Sequence, residues 1–198
     1  MRGWKCRILM AALGAAAAIS AAQAGWENRV SSYDAARLAK LDEARAKALS
    51  EAQSGRDIGL IRGLLDAEAR PVSAAALLGD WRCRTIKVGG MSPDVVYSWF
   101  RCRIGNRNGR LTFDKLSGTQ RLSGMLYPHD SGGFVVLAGL SVKGEPRHAY
   151  SGNGRAAGAA TTPDDAVGLL DATGPRSARI EFPYPVQEST LDIIELKR

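Results

Sequence analysis

The sequence predicts a mainly β protein with an N-terminal α segment, in which about eight antiparallel strands form an up-and-down barrel and the helices pack on its outside. The apolar pattern has a helical period up to Pro71 and then alternates with a period of two. The short β-rich runs that follow are separated by turn sequences such as Gly105-Asn-Arg-Asn-Gly. With 198 residues, of which 45% are hydrophobic, the chain can bury one core, so wholesale disorder and collagen-like structure are excluded.

Residues 1–24 have the pattern of a secretory signal peptide. Three basic residues precede the apolar run 8–19, which is followed by the small-x-small sequence Ala22-Gln23-Ala24. The apolar run is shorter than the roughly 20 residues that span a bilayer, so we expect cleavage and no transmembrane segment in the mature chain. Cleavage after Ala24 would lower the formal net charge from +7 to +4. We therefore expect a periplasmic or secreted protein.

Residues 25–72 are predicted to form a helical segment. The first helix should run from Ser31 to Gly55, because Ser31 and Asp34 form a helix start signal. A second helical pattern begins at Asp57 and ends before Pro71. Basic and acidic residues are balanced in this segment, as is typical of a solvated face.

Residues 73–198 are predicted to form the barrel domain, with an open sandwich as the alternative. The turns between the strands are hairpin sequences, so neighbouring strands should be antiparallel. The run 133–142 is apolar on both faces, so we expect the helices to cover part of the outer wall. Residues 143–164 should form a mobile loop at the mouth. Strands are expected at about 81–88, 95–104, 110–114, 119–126, 133–142, 165–172, 177–183 and 189–197.

The head of the first predicted strand resembles that of lipocalin and calycin-like barrels. Gly79-Asp80-Trp81 follows a short helical turn, and the chain ends with a strand that is followed by Lys197 and Arg198. The resemblance implies that Trp81 plugs one end of the barrel and that Lys197 or Arg198 packs over its ring. A barrel of this size holds side chains or one small ligand.

Two cysteines remain after signal cleavage, Cys83 and Cys102, and we expect them to form a disulfide in an oxidising compartment. The alternative is a pair of zinc ligands. It needs further ligands, and His129 and His148 have no tight spacing, so no metal site is expected. If the two cysteines lie directly opposite each other, Arg82 opposes Arg103 and Arg84 opposes Arg101.

Basic residues are concentrated on the first predicted hairpin, where residues 81–110 contain seven basic residues and one acid. These arginines are candidates for an anion site, unless Asp192, Glu195 or Glu188 neutralises them. Polar residues also alternate along 117–127: they line a polar cavity if they point inward, or a solvated face if they point outward. The candidate ligand-binding residues are Arg82, Arg84, Arg101, Arg103, Ser117, Thr119, Arg121, Ser123 and Tyr127.

The sequence contains no convincing catalytic constellation, and no cofactor is expected. His129 and His148 lie in predicted loops, and Asp164-Asp165 fits turn chemistry. The inferred export, the modest charge and the few interleaved aromatics disfavour nucleic acid as a partner.

Four separated segments, 79–87, 96–104, 115–121 and 188–196, are together similar to an exported bacterial family, domain of unknown function 4893. The family has no known activity to transfer. More distantly, Gly79-x-Trp81 and an early disulfide resemble small periplasmic barrels that inhibit secreted metalloproteases through a short free N-terminal arm. We expect a non-catalytic exported barrel that binds a small, possibly anionic ligand or a protein partner. A periplasmic protease inhibitor is the alternative, and a hydrolase is the least favoured function.

Overall fold

The structure is a computed structural model that describes residues 25–152, 162 and 164–198. The predicted signal peptide, residues 1–24, lies outside the described residues, as do residues 153–161 and 163 of the predicted loop. A 3-10 turn at Trp26–Asn28 precedes four helices: α1 (Ser32–Leu38), α2 (Leu41–Glu51), α3 (Ile58–Leu65) and α4 (Ala74–Leu77). No helix in the described ranges is both long and apolar enough to cross a membrane.

Nine strands in the described ranges form one antiparallel sheet. They are β1 (Gly79–Val88), β2 (Asp94–Val96), β3 (Phe100–Arg107), β4 (Arg110–Lys115), β5 (Gln120–Pro128), β6 (Phe134–Val142), β7 (Asp165–Gly174), β8 (Ser177–Pro183) and β9 (Leu191–Lys197). From β3 onward each strand pairs with the next one, and β9 pairs back with β1, which also pairs with β3. This confirms the predicted fold: a closed barrel of eight strands, with β2 as one extra strand beside β1.

The run predicted as one strand over 95–104 is two strands, β2 and β3. Ile86 pairs with Val96, whereas Cys83 pairs with Phe100, so three steps along β1 face four steps along the partner. The extra residue breaks the ladder at Tyr97–Trp99, although the Tyr97 amide still donates to the Thr85 carbonyl at 3.0 Å. The extra residue inverts the alternation: Val96 packs in the outer cluster beneath the helices, whereas Phe100, four residues later, packs against the interior.

The predicted disulfide is present, with Cα atoms of Cys83 and Cys102 5.8 Å apart. The expected direct opposition of these residues is wrong: Cys83 pairs with Phe100 and Trp81 pairs with Cys102, so the disulfide is diagonal. The shift is two residues, which leaves every side chain on its expected face.

Apolar side chains fill most of the barrel interior. They come from α4 and from all eight barrel strands: Leu77, Trp81, Cys83, Cys102, Ile104, Leu111, Phe113, Leu122, Leu126, Phe134, Val136, Ala138, Leu170, Ala178, Ile180, Phe182, Ile194 and Leu196. The alternation of these residues with polar ones is what the sequence pattern predicted.

The helices cover the outer wall, as the two-sided apolar strands predicted. Residues of α2 and α3, such as Ala48 and Ile61, pack on outward side chains of β1 and β9, such as Ile86 and Ile193. Val30 packs in the same way against β6 and β7. The helix predicted over 31–55 is divided into α1 and α2, because the backbone at Lys40 leaves the helical conformation.

An ion pair and a hydrogen bond fix the helices to the wall. Arg45 of α2 contacts the buried carboxylate of Glu181 at 2.6 Å, and Arg179, beside Glu181 on β8, contacts its other oxygen at 2.5 Å. Arg37 of α1 donates to the Asp165 carbonyl at 2.8 Å, close to the start of β7.

Candidate ligand site at the barrel mouth

The two ends of the barrel differ. At the end where β1 begins, Trp81 is buried and its indole nitrogen donates to the Leu77 carbonyl at 2.9 Å. Arg198 lies over the Trp81 ring, 4.0 Å from its centre, and donates to the carbonyls of Leu77 and Leu78. Of the two cations expected over Trp81, the structure places Arg198 there. This end is covered, so a small molecule would have to enter at the other end.

The other end, which we call the mouth, contains a cavity of about 100 Å³. Interior residues near the ends of the strands form its floor, and the segment after β8 forms part of its rim. Its apolar lining consists mainly of Leu122, Leu140, Ala166, Phe182, Val186 and Ile194. Its charged lining includes Lys87, Lys115, Arg121, Glu188 and Asp192. The cavity therefore combines an apolar floor with an excess of positive charge on the described side chains.

Lys115 is the most unusual residue of the mouth. It is the last residue of β4, follows the inward Leu111 and Phe113 by alternation, and is only 8% exposed. Its ammonium group donates to the Gln120 carbonyl at 2.9 Å and lies 4.4 Å from the centre of the Phe100 ring. None of the described carboxylates forms an ion pair with it. Burial, and then the positive charges of Arg121 and Lys87, lower the pKa of Lys115.

Lys87, near the end of β1, is a second lysine in the lining of the mouth. Its ammonium group forms an ion pair with Glu188, which belongs to the segment between β8 and β9. Burial is the largest single influence on the pKa of Lys87 and lowers it. The hydrogen bond to Glu188 and the charge of Asp192 act in the opposite direction, and the net result is a raised pKa. One internal carboxylate thus occupies Lys87, whereas Lys115 lacks such a partner among the described residues.

Asp192 places a titratable acid in the same cavity. Burial raises the pKa of Asp192 to about 6, although a hydrogen bond from Ser189 and the charge of Lys87 act in the opposite direction. The hydroxyl of Ser189 donates to Asp192 at 2.5 Å. The charge of the mouth therefore changes close to neutral pH.

The segment between β8 and β9 is held at the mouth by tight backbone packing. Glu188 has a positive φ of 72°, and its carbonyl accepts from the Met91 amide at 2.9 Å. A Cβ at Gly90, which itself has a φ of 78°, would lie 2.4 Å from that carbonyl oxygen. Glycine is therefore required at position 90 for Glu188 to approach Lys87.

Comparison with known proteins identifies the family of the chain. A family model described as a domain of unknown function (DUF4893) matches residues 26–196. The chain belongs to this family. The match includes the helices as well as nearly the whole barrel, so the DUF4893 unit is the two together. No curated protein and no solved structure matches the sequence.

The four predicted arginines of the DUF4893 barrel lie on its outer face, away from the mouth cavity. Arg82 opposes Arg101, which corrects the predicted register. Arg84 contacts Glu195 at 2.5 Å and Arg103 contacts Asp80 at 2.6 Å. The expected neutralisation by Glu195 is therefore present for Arg84. Neither Arg82 nor Arg101 forms an ion pair with any described carboxylate.

The polar residues predicted along 117–127 do not form one cavity lining. The inward positions of β5 are Leu122 and Leu126, so Ser123 and Tyr127 face outward. Ser117 and Thr119 lie before β5, where the Ser117 hydroxyl accepts from the Arg101 amide at 2.8 Å. Within this predicted set, Arg121 contributes to the mouth.

The two histidines of this DUF4893 protein lie outside the mouth. His129 Nδ1 lies 2.9 Å from the Ser131 hydroxyl, but it also accepts from the Ser131 amide at 3.2 Å within the same turn. His148 lies 3.5 Å from Asp164. The described residues contain no cluster of three or more His, Cys, Asp or Glu side chains suited to a metal ion.

Sequence reasoning missed Lys87, Lys115 and Asp192 as mouth residues. The signal was present: Lys87 has the same parity as Trp81 on β1, and Lys115 has the same parity as Phe113 on β4. A lysine at an inward position is expected only where a strand reaches an open end, so alternation points to the mouth.

Proposed function

We propose that this barrel is a non-catalytic, exported binding protein whose mouth takes a small carboxylate with an apolar group. The buried ammonium of Lys115 supports this proposal most strongly. A lysine that is 8% exposed, without an ion pair to a described carboxylate, carries a desolvation cost that an anion in the cavity would offset. The apolar floor beside it would hold the remainder of the ligand.

The size of the cavity limits the ligand. One water needs roughly 10–15 Å³ of such space, so 100 Å³ holds about seven to ten atoms other than hydrogen. A lipid chain or a haem exceeds this volume, whereas benzoate or hexanoate fits. Benzoate is therefore the probe of choice.

The positions of the charged groups support a single orientation of the ligand. The carboxylate would lie between Lys115 and Arg121, with the apolar group towards Phe182 and Ile194. Lys87, which also lines the cavity, is already paired with Glu188. An anion that reached Lys87 would have to compete with Glu188.

Calorimetric titration with benzoate tests the proposal. We expect binding to the wild type and a loss of about tenfold or more in affinity for Lys115→Met, which corresponds to about 1.4 kcal/mol. Lys40→Met is the matched control, because Lys40 is exposed between α1 and α2. Equal affinity of wild type and Lys115→Met would overturn the proposal. Mass spectrometry of protein isolated under native conditions should additionally show a bound acid of this size.

The protease-inhibitor alternative depends on a free N-terminal arm. In the described chain, Arg37 and Arg45 join α1 and α2 to the barrel wall, which disfavours insertion of this segment into a protease cleft. Titration against secreted metalloproteases tests the alternative. Inhibition at micromolar concentration would favour it over ligand binding as the main function.

A further inference from the structure

A second cationic hollow lies beside the covered end of the barrel, away from the mouth. It has a volume of about 580 Å³. It is lined by six basic side chains and one acidic side chain among the described residues: Arg82, Arg101, Arg103, Arg176, Lys197, Arg198 and Asp80. Neither the mouth ligand nor the barrel core accounts for this concentration of charge.

Three of these cations form a row across three neighbouring strands. Arg82 on β1 is directly opposite Arg101 on β3 on one side and Lys197 on β9 on the other. Neighbouring strands lie about 4.8 Å apart, so the three side chains leave the sheet within about 10 Å. Like charges in direct opposition destabilise a sheet. A row of this kind is expected where an anion compensates the repulsion.

The internal acids compensate only part of the charge. Asp80 is engaged by two nitrogens of Arg103, at 2.6 and 3.0 Å. Glu195 is shared between Arg84, at 2.5 Å, and Lys197, at 2.8 Å.

Arg82 and Arg101 remain without an ion pair to a described carboxylate. The Arg82 guanidinium lies 4.9 Å from the centre of the Trp99 ring. This contact orients the guanidinium but supplies no negative counter-charge.

Other residues of the hollow are held in place by the fold. Arg198 stacks on Trp81 and donates to the carbonyls of Leu77 and Leu78, at the end of α4. Arg176 donates to the main-chain oxygen of Arg198 at 3.4 Å. The wall of the hollow is therefore preorganised, which lowers the entropic cost of binding a ligand.

We propose that this hollow binds an anion with at least two phosphate groups, with Arg82 and Arg101 as its main contacts. A guanidinium donates two parallel hydrogen bonds to a phosphate, and two arginines on adjacent strands can each take one group. A simple carboxylate would neutralise only one positive charge, whereas both Arg82 and Arg101 line the hollow without an ion pair to a described carboxylate. Free polyphosphate compounds and the head group of cardiolipin share this chemistry.

Titration with inorganic pyrophosphate at low salt tests the free-anion source. We expect Arg82→Gln and Arg101→Gln each to weaken binding by about tenfold or more. Arg56→Gln is the control, because it removes the same charge from a side chain that is 94% exposed on the helical segment. If Arg101→Gln does not fold, Arg101→Lys retains the charge, loses the two-pronged contact and should still weaken binding.

Vesicles of phosphatidylcholine with and without cardiolipin test the lipid source in a sedimentation assay with the same variants. Binding of pyrophosphate supports a soluble ligand. Binding only to cardiolipin vesicles supports a head group. Absence of binding in both assays, or an equal loss with Arg56→Gln, overturns the proposal, because the charge would then act without a defined site.

Discussion

Lys87 of β1 and Asp192 of β9 are directly opposed in the mouth of the barrel, and Asp192 has a pKa raised to about 6 by burial. An ionised Asp192 repels an anionic ligand, and its protonation removes this repulsion. We therefore expect the affinity for benzoate to rise by about three- to tenfold between pH 7.5 and pH 5, where most of the probe is still ionised. Calorimetric titration over this range measures the effect.

The matching variant is Asp192→Asn, which should bind benzoate tightly at both pH values. Stability should depend on pH in the same direction as affinity. Because the pKa of Asp192 is higher in the folded chain than in the unfolded chain, the free energy of unfolding falls as the pH rises from about 4 to 6. Asp192→Asn should remove this part of the dependence. A pH profile identical to that of the wild type would contradict the assignment.

Glu188 adds a negative charge to the lining of the cavity, where it forms an ion pair with Lys87. Glu188→Gln removes this charge, which would repel an anion bound beside Lys115. We expect a gain in benzoate affinity of about two- to fivefold, as for one partly exposed ion pair. Glu68→Gln removes a carboxylate that is 82% exposed and lies outside the mouth, and should have no effect. Weaker binding by Glu188→Gln would indicate that Glu188 holds the cavity open.

Lys115 should impose a characteristic pH dependence on stability. Its pKa is lowered in the folded protein, so between the folded value and the ordinary lysine value the unfolded chain binds more protons. Stability then rises with pH in this alkaline range, because the buried charge is lost. Urea unfolding at several pH values should show that the free energy of unfolding of the wild type rises relative to that of Lys115→Met as the pH approaches about 10. A constant difference would contradict the lowered pKa.

Glu181 is fully buried between Arg45 and Arg179. Glu181→Gln would leave Arg179, itself 3% exposed, without its carboxylate, and should cost about 3–5 kcal/mol in the free energy of unfolding. Asp42→Asn is the control: Asp42 also contacts Arg45, at 2.9 Å, but is 94% exposed and should cost less than about 1 kcal/mol. Urea unfolding of both variants measures the difference, and equal costs would contradict it.

The disulfide closes a segment of 19 residues, and replacing both cysteines by alanine should lower the free energy of unfolding by about 3 kcal/mol. Urea unfolding of the double variant, compared with each single variant, measures this loss. A double variant as stable as the wild type would mean that the diagonal bridge contributes nothing to the free energy of unfolding.

The fold was predictable because alternation and turn chemistry are local. The interior and helix-covered faces of β6, and the pairing of Cys83 with Cys102, follow from such patterns. The exact register does not, because shifts by two residues conserve every face. The break at Tyr97–Trp99 depends on a count of residues between two ladders, which only the three-dimensional pairing reveals.

The candidate site was predictable only in part. The clustering of arginines on the first hairpin is visible in the sequence. Which of them form ion pairs depends on the positions of Asp80 on β1 and Glu195 on β9, which the sequence does not show. Lys87 and Lys115 belong to distant strands that face one cavity only after closure. Their burial and mutual repulsion are properties of the closed barrel.

The pairing of β1 with β9 joins residues as far apart in sequence as Arg82 and Lys197, separated by 115 positions. Such non-local pairing gives a high contact order and slow folding. Until β9 joins the sheet, the edge of β1 that it covers stays unpaired. Shortening the chain by the last strand should therefore yield an aggregation-prone open sheet.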